Sequence, residues 1–139
     1  NLELAIGSAS EPLTFFEFNE SALSTFSEEW ARHCEAANSN YRVVSRTKMP
    51  VRRLDSILGE HAEQFESIDF LSVDAECMDA DVLATNDWSC WRPRVVAVED
   101  QSVSSSCKQG GGEASKLLLG LGYRLAAFTP RTCIYLIDK

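Results

Sequence analysis

No stretch of this chain approaches the roughly 18 consecutive apolar residues that a membrane-spanning helix needs, and no signal-peptide pattern is visible. Positive charge is scarce: 13 Lys and Arg against 21 Asp and Glu leave a net charge of -8. So acidic a chain lacks the basic face that non-specific binding to nucleic acid or anionic membranes requires, and neither is an expected partner. Histidine occurs only twice, as His33 and His61. Each sits on a predicted helix, where a surface or packing role is the ordinary reading. The five cysteines (Cys34, Cys77, Cys90, Cys107, Cys133) are odd in number, widely spaced and form no CxxC pair. That pattern argues against a disulfide framework or a zinc site and points to reduced thiols in a cytoplasmic protein.

What is present suffices for one hydrophobic core. At 139 residues and 45% hydrophobic, the chain is expected to form a single domain. It begins at Asn1, and Leu2–Ile6 reads as a strand with no lead-in, so an excerpt of a longer chain is expected.

The strongest local signal is Ile68–Glu76, IDFLSVDAE. Ile68, Phe70, Leu71 and Val73 form an apolar run too short for a helix and suited to a strand buried on both faces of a mostly parallel sheet. The run stops at two carboxylates, Asp74 and Glu76. Loops at the carboxyl ends of such strands carry the chemistry, so this acid pair is a candidate site. A capping pair at the next helix start is the alternative, favoured by the helix dipole and compatible with the first.

Upstream, Leu2–Ile6 and the aromatic Leu13–Phe18 are expected to form a hairpin-like unit around Ser8-Ala9-Ser10-Glu11-Pro12. A helix is predicted from about Ser27, with Thr25 and Glu28 as a capping box and Phe26, Trp30, Cys34 and Ala37 on one face. Tyr41–Val51 reads as extended. Its Arg42, Arg46 and Lys48, with Arg52 and Arg53 beyond, fit either a charge-protected sheet edge or a basic lip for an anionic substrate. Leu54, Ile57, Leu58, His61 and Phe65 trace the buried stripe of the next helix.

Downstream, Asp79–Leu83 begins a helix, and Arg92-Pro93 leads into a second buried strand, Val95–Val98, ending at Glu99-Asp100. Two consecutive strands thus finish in acids with a helix between them, one right-handed βαβ unit. Gln101–Gly112 reads as a mobile linker. Gly110-Gly111-Gly112 lacks the spacing of a nucleotide fingerprint. Ala114, Leu117, Leu118 and Leu121 form a helical stripe that Gly122 terminates from a left-handed C-cap position. Gly120-x-Gly122 is therefore helix termination, not cofactor binding. Tyr123–Phe128 and Cys133–Ile137 close the chain as an antiparallel edge hairpin. The class is α/β, with a parallel core and one reversed strand.

Taken with its residues, this order resembles the FkbM family of S-adenosylmethionine-dependent methyltransferases over essentially the whole chain. The resemblance rests on Val51-Arg52-Arg53-Leu54-Asp55-Ser56-Ile57-Leu58, on Ile68–Glu76, on Asp81-Val82-Leu83 and on Arg92-Pro93-Arg94-Val95-Val96-Ala97-Val98-Glu99. These stand where the family has a leucine-aspartate helix start, an "IDFLxIDxEG" strand end, a "VL" helix and an "RPxVVxxE" strand. Ala22-Leu23-Ser24-Thr25-Phe26 and Gly122-Tyr123 also match. The resemblance implies a Rossmann-like class I methyltransferase sheet, mostly parallel with an antiparallel C-terminal hairpin. It implies S-adenosyl-L-methionine as cofactor and O-methylation of a sugar, glycan or other hydroxyl-bearing small-molecule acceptor. Asp74 would lie nearest the reacting methyl, serving both catalysis and cofactor binding. Glu76 would orient the acceptor or act as base, Glu99 would support the pocket, and Ser8 would contact the adenine unless it is only a turn residue. No metal is implied.

Two departures bear on activity. The glycine that follows the central acid in the family is Cys77 here, and a side chain at a position of positive φ is strained. The family's glycine-rich strand–helix unit and the acidic strand after it are absent, which leaves an incomplete sheet, truncated at the N-terminus, with exposed edges. The chain is thus expected to bind cofactor poorly and to be marginally stable. A non-catalytic degenerate domain, or a subunit docking through its open sheet edge, is the alternative. A metal-dependent hydrolase using Asp74, Glu76 and Glu99 as oxygen ligands is a third.

Overall fold

The computed structural model describes residues 2–64, 66–99 and 112–138. Its strands are β1 (Ala5–Ile6), β2 (Leu13–Phe18), β3 (Val43–Met49), β4 (Val51–Arg52), β5 (Phe70–Val73), β6 (Val95–Glu99), β7 (Arg124–Phe128) and β8 (Thr132–Leu136). Its α-helices are α1 (Glu28–Ala37), α2 (Leu54–Glu60), α3 (Asp79–Ala84) and α4 (Glu113–Gly120). The architecture is mixed α/β. It is divided among three small sheets: β1–β4, β2–β3, and a four-stranded sheet in the order β5-β6-β8-β7.

In the larger sheet β5 and β6 run parallel with Val73 opposite Val98. The βαβ unit anticipated from the sequence is therefore present, with α3 between its strands. β8 runs antiparallel to both β6 and β7, as expected of the terminal hairpin. The main core forms where α3 and α4 cover this sheet, and Leu83, Val96, Val98, Leu118 and Cys133 are all fully buried there. Complete removal of a side chain of this size from water stabilises by about 1.5–3 kcal/mol. Tyr135 is buried with its hydroxyl hydrogen-bonded to Ser115, and the Tyr123 hydroxyl donates to the Pro93 carbonyl at 2.5 Å. Both tyrosines thus enter the core with their polar tips satisfied.

The N-terminal part departs from expectation. Only Ala5–Ile6 of the predicted first strand pairs, and its partner is β4 in parallel, not β2. Just beyond β1, the Ser8 backbone N–H and hydroxyl both donate to the Asp81 carboxylate, which ties this end of the strand to α3. Gly7 permits this approach, since a Cβ there would lie 2.7 Å from Asp81 Oδ2. β2 is left to pair antiparallel with β3. Phe16 and Phe18 then pack against Ala31 and Cys34 of α1 as a second small core.

One helix start is also made differently, and another is capped from a distant segment. α1 is capped by Ser27, whose Oγ accepts from Trp30 N–H at 3.1 Å, not by Thr25. α2 has no cap of its own; Thr85, at the end of α3, supplies its hydroxyl to Leu54 N–H and its carbonyl to Asp55 N–H.

β5 is not buried on both faces. It is an edge strand among the described residues, with Phe70 58% exposed and only Val73 fully buried. The predicted apolar run is present, but it has a partner strand on one side only.

Candidate functional site

The parallel register of β5 and β6 brings their carboxyl ends together, so Asp74, just past β5, stands beside Glu99, the last residue of β6. Glu76 joins them. One carboxylate oxygen from each of Asp74, Glu76 and Glu99 lies within 4.8 Å of the other two. The convergence expected from the sequence is therefore present. Asp74 is exposed, while Glu76 and Glu99 are half-buried.

A cavity of about 360 Å³ opens against this end of β5. Asp74 and Glu76 line it, and its walls are apolar: Leu4 and Ile6 from β1 and its lead-in, Phe15 from β2, Phe26, Leu71 and Met78. Phe15 and Phe26 stand against one another with ring centroids 5.0 Å apart. No Lys or Arg lines the cavity among the described residues. The basic lip is thus not realised there. Arg52 pairs with Glu60 and Arg53 with Asp55, while Arg46 lies over the Phe16 ring and Lys48 reaches the Pro12 carbonyl.

The turn carrying Glu76 is strained. Glu76 has φ +43° and Cys77 φ +76°, consecutive left-handed residues of which neither is glycine. The bonds that hold the turn include Met78 N–H to the Ala75 carbonyl, Ala75 N–H to Asp79 Oδ1 at 3.3 Å, and the Thr25 hydroxyl to the Glu76 carbonyl at 3.0 Å. Asp79 is buried, and burial pushes its carboxyl up to about 6, with Asp74 and Glu76 adding to the rise. Burial likewise pushes the Cys77 thiol up to about 11, helped by Glu76, Asp79 and Glu99.

This arrangement suits a ligand with an apolar body and a positive centre. Three carboxylates so close repel one another unless a cation or shared proton intervenes, and the apolar walls offer an anion nothing. A hard divalent cation would find three oxygen donors here, about half the shell that such ions take.

Ser8 lies outside the cavity lining, and its donors are committed to Asp81. His33 stacks on Trp30 and His61 pairs with Gln64, away from the acids. Gly110 and Gly111 lie outside the described residues, and Gly112 is the N-cap of α4. Sequence reasoning did not place Thr25, Phe15, Phe26 or Asp79 at the site. The Thr25 bond spans 51 residues, a separation that no local pattern reports.

A family model described as the methyltransferase FkbM domain matches residues 1–125. No curated protein and no solved structure matches the chain.

Proposed function

The chain belongs to the FkbM methyltransferase domain family, and from that premise we propose that it serves S-adenosylmethionine-dependent methylation of a hydroxyl-bearing acceptor. The observation that carries this reading is the acid-ended, apolar-walled cavity. The cofactor, when bound, supplies an electrophilic methyl on a positively charged sulfur.

The residues present fit that group. Leu71, Met78 and the Phe15–Phe26 pair would hold its apolar ring and exclude water. Asp74 would face its positive centre, a charge-assisted contact of about 1.5–3 kcal/mol. Glu76 would take the proton from the acceptor hydroxyl as that oxygen becomes nucleophilic, and Glu99 would support the pocket from the neighbouring strand. The rest of the work is alignment of donor and acceptor. The order β5-β6-β8-β7, with β8 reversed, supports the Rossmann-like reading of the larger sheet. Among the described residues no Lys or Arg lines the cavity, which favours an uncharged acceptor, such as a sugar or other polyol, over a phosphorylated one.

The test is titration calorimetry of the full-length protein with S-adenosylmethionine, wild type against Asp74→Asn, followed by methyl-transfer assays. Loss of one charge contact should weaken binding about 10-fold or more. Equal affinity and turnover in the variant would remove Asp74 from the site.

A second reading is favoured by the exposed Phe70 edge of β5 and the strain at Cys77: a non-catalytic domain that docks through that edge. It predicts no donor binding, together with a heavier particle in sedimentation. Binding heat with Mg²⁺ and none with the donor would instead favour the hydrolase.

A further inference from the structure

The β5–β6 register sets Asp74 beside Glu99, and Glu76 joins them from a turn in which residues 76 and 77 adopt a backbone that side-chain-bearing residues rarely take. Such strain persists where the surroundings over-determine it. Two of its restraints, through Ala75 and Asp79, come from the same short segment. A third comes from 51 residues away and is made to the Glu76 carbonyl.

We infer that Thr25 is the positioning residue for Glu76: its hydroxyl holds the left-handed turn that aims the Glu76 carboxylate at Asp74 and Glu99. The function assigned to Glu76 rests on the methyltransferase reading; the structural link does not.

Thr25 is built for this. It is 2% exposed. Its hydroxyl donates to the Glu76 carbonyl and accepts from Ser27 N–H, both at 3.0 Å, so the donor direction is fixed. Its backbone N–H and carbonyl exchange bonds with Phe16 at 3.1 and 2.8 Å, which anchors the residue to β2. A simple helix-capping role does not account for the hydroxyl, because Ser27 caps α1 with its own side chain. The bond to Glu76 thus joins the β2–β3–α1 unit to the acid cluster, and Phe15 and Phe26 on that unit wall the same cavity. Without the bond, residue 76 is released toward negative φ, and its carboxylate swings away from its partners.

The experiment compares Thr25→Val, which keeps the shape, with Thr25→Ser, which keeps the hydroxyl, in the full-length protein. Hydrogen exchange is read at the amides of residues 75–78, beside methyl-transfer kcat and KM. In Thr25→Val, exchange there should quicken about 10-fold or more and kcat should fall by a similar factor with KM nearly unchanged, whereas Thr25→Ser should retain both. Glycine at 77 relieves the strain, so Thr25→Val/Cys77→Gly should recover part of the lost kcat, an interaction expected only of residues that share one turn. Unchanged protection at 75–78 in Thr25→Val would overturn the inference. Should Thr25→Val fail to fold, the double variant decides, recovery supporting and non-recovery refuting. If the protein transfers no methyl group at all, the exchange measurement still tests the link, so its failure is distinct from that of the function.

Discussion

At Cys77 the backbone stands at φ +76°, a conformation that costs a side-chain-bearing residue about 1–2 kcal/mol. Glycine there would relieve the strain and give back about 0.4–1 kcal/mol through the freer unfolded chain. Cys77→Gly is therefore expected to stabilise the fold by about 0.5–1 kcal/mol, measured as a raised urea midpoint with unchanged slope. A lower midpoint would show that the thiol makes contacts worth more than the strain. The sequence had already marked this position, because the resemblance sets a glycine where cysteine stands. It could not reveal that Glu76 shares the left-handed conformation, since that depends on Thr25 and Asp79 reaching the same turn.

Elements whose signals lie within a few residues were legible. α4 ends as the stripe and glycine implied: Gly122 has φ +88°, and Gly122 and Tyr123 N–H bond the Leu119 and Leu118 carbonyls, a Schellman closure. Gly122→Ala should cost about 1 kcal/mol from backbone strain alone, because among the described residues an added Cβ would meet only Arg92 Nη2 at 3.7 Å. At Gly120 an added Cβ meets nothing within 4 Å among the described residues, so Gly120→Ala should be neutral or stabilise by up to about 1 kcal/mol. Thermal melts of the two variants check the pair, and an equal loss in both would contradict helix termination as the reason for Gly122. The acid-tipped strands and the terminal hairpin were legible for the same local reason. The pairings of β1 with β4 and of β2 with β3 were not, because each joins segments far apart in the chain. Likewise, nothing near Leu54 in sequence shows that Thr85 caps its helix.

For the molecule as a whole, acidity and the site meet in one measurable quantity, the dependence of stability on pH. With a net charge of -8 and three carboxylates converging, two of them in the cavity wall, the folded chain gathers negative charge that the unfolded chain disperses. Asp79 bears this most directly: it is 6% exposed and its carboxyl is held at about 6, above the ordinary 3.8. A carboxyl whose pKa is raised on folding keeps its proton more tightly in the folded state. Its contribution is fully present below about pH 4, declines as pH rises to about 6 and is lost above that. The decline should be on the order of 1–3 kcal/mol. Asparagine retains the oxygen that accepts from Ala75 N–H and carries no charge. Asp79→Asn should therefore flatten the stability profile between pH 4 and 6 and leave the protein more stable than wild type at pH 7. Guanidinium unfolding across that range checks both. The same downward slope in the variant would show that Asp79 is not its origin.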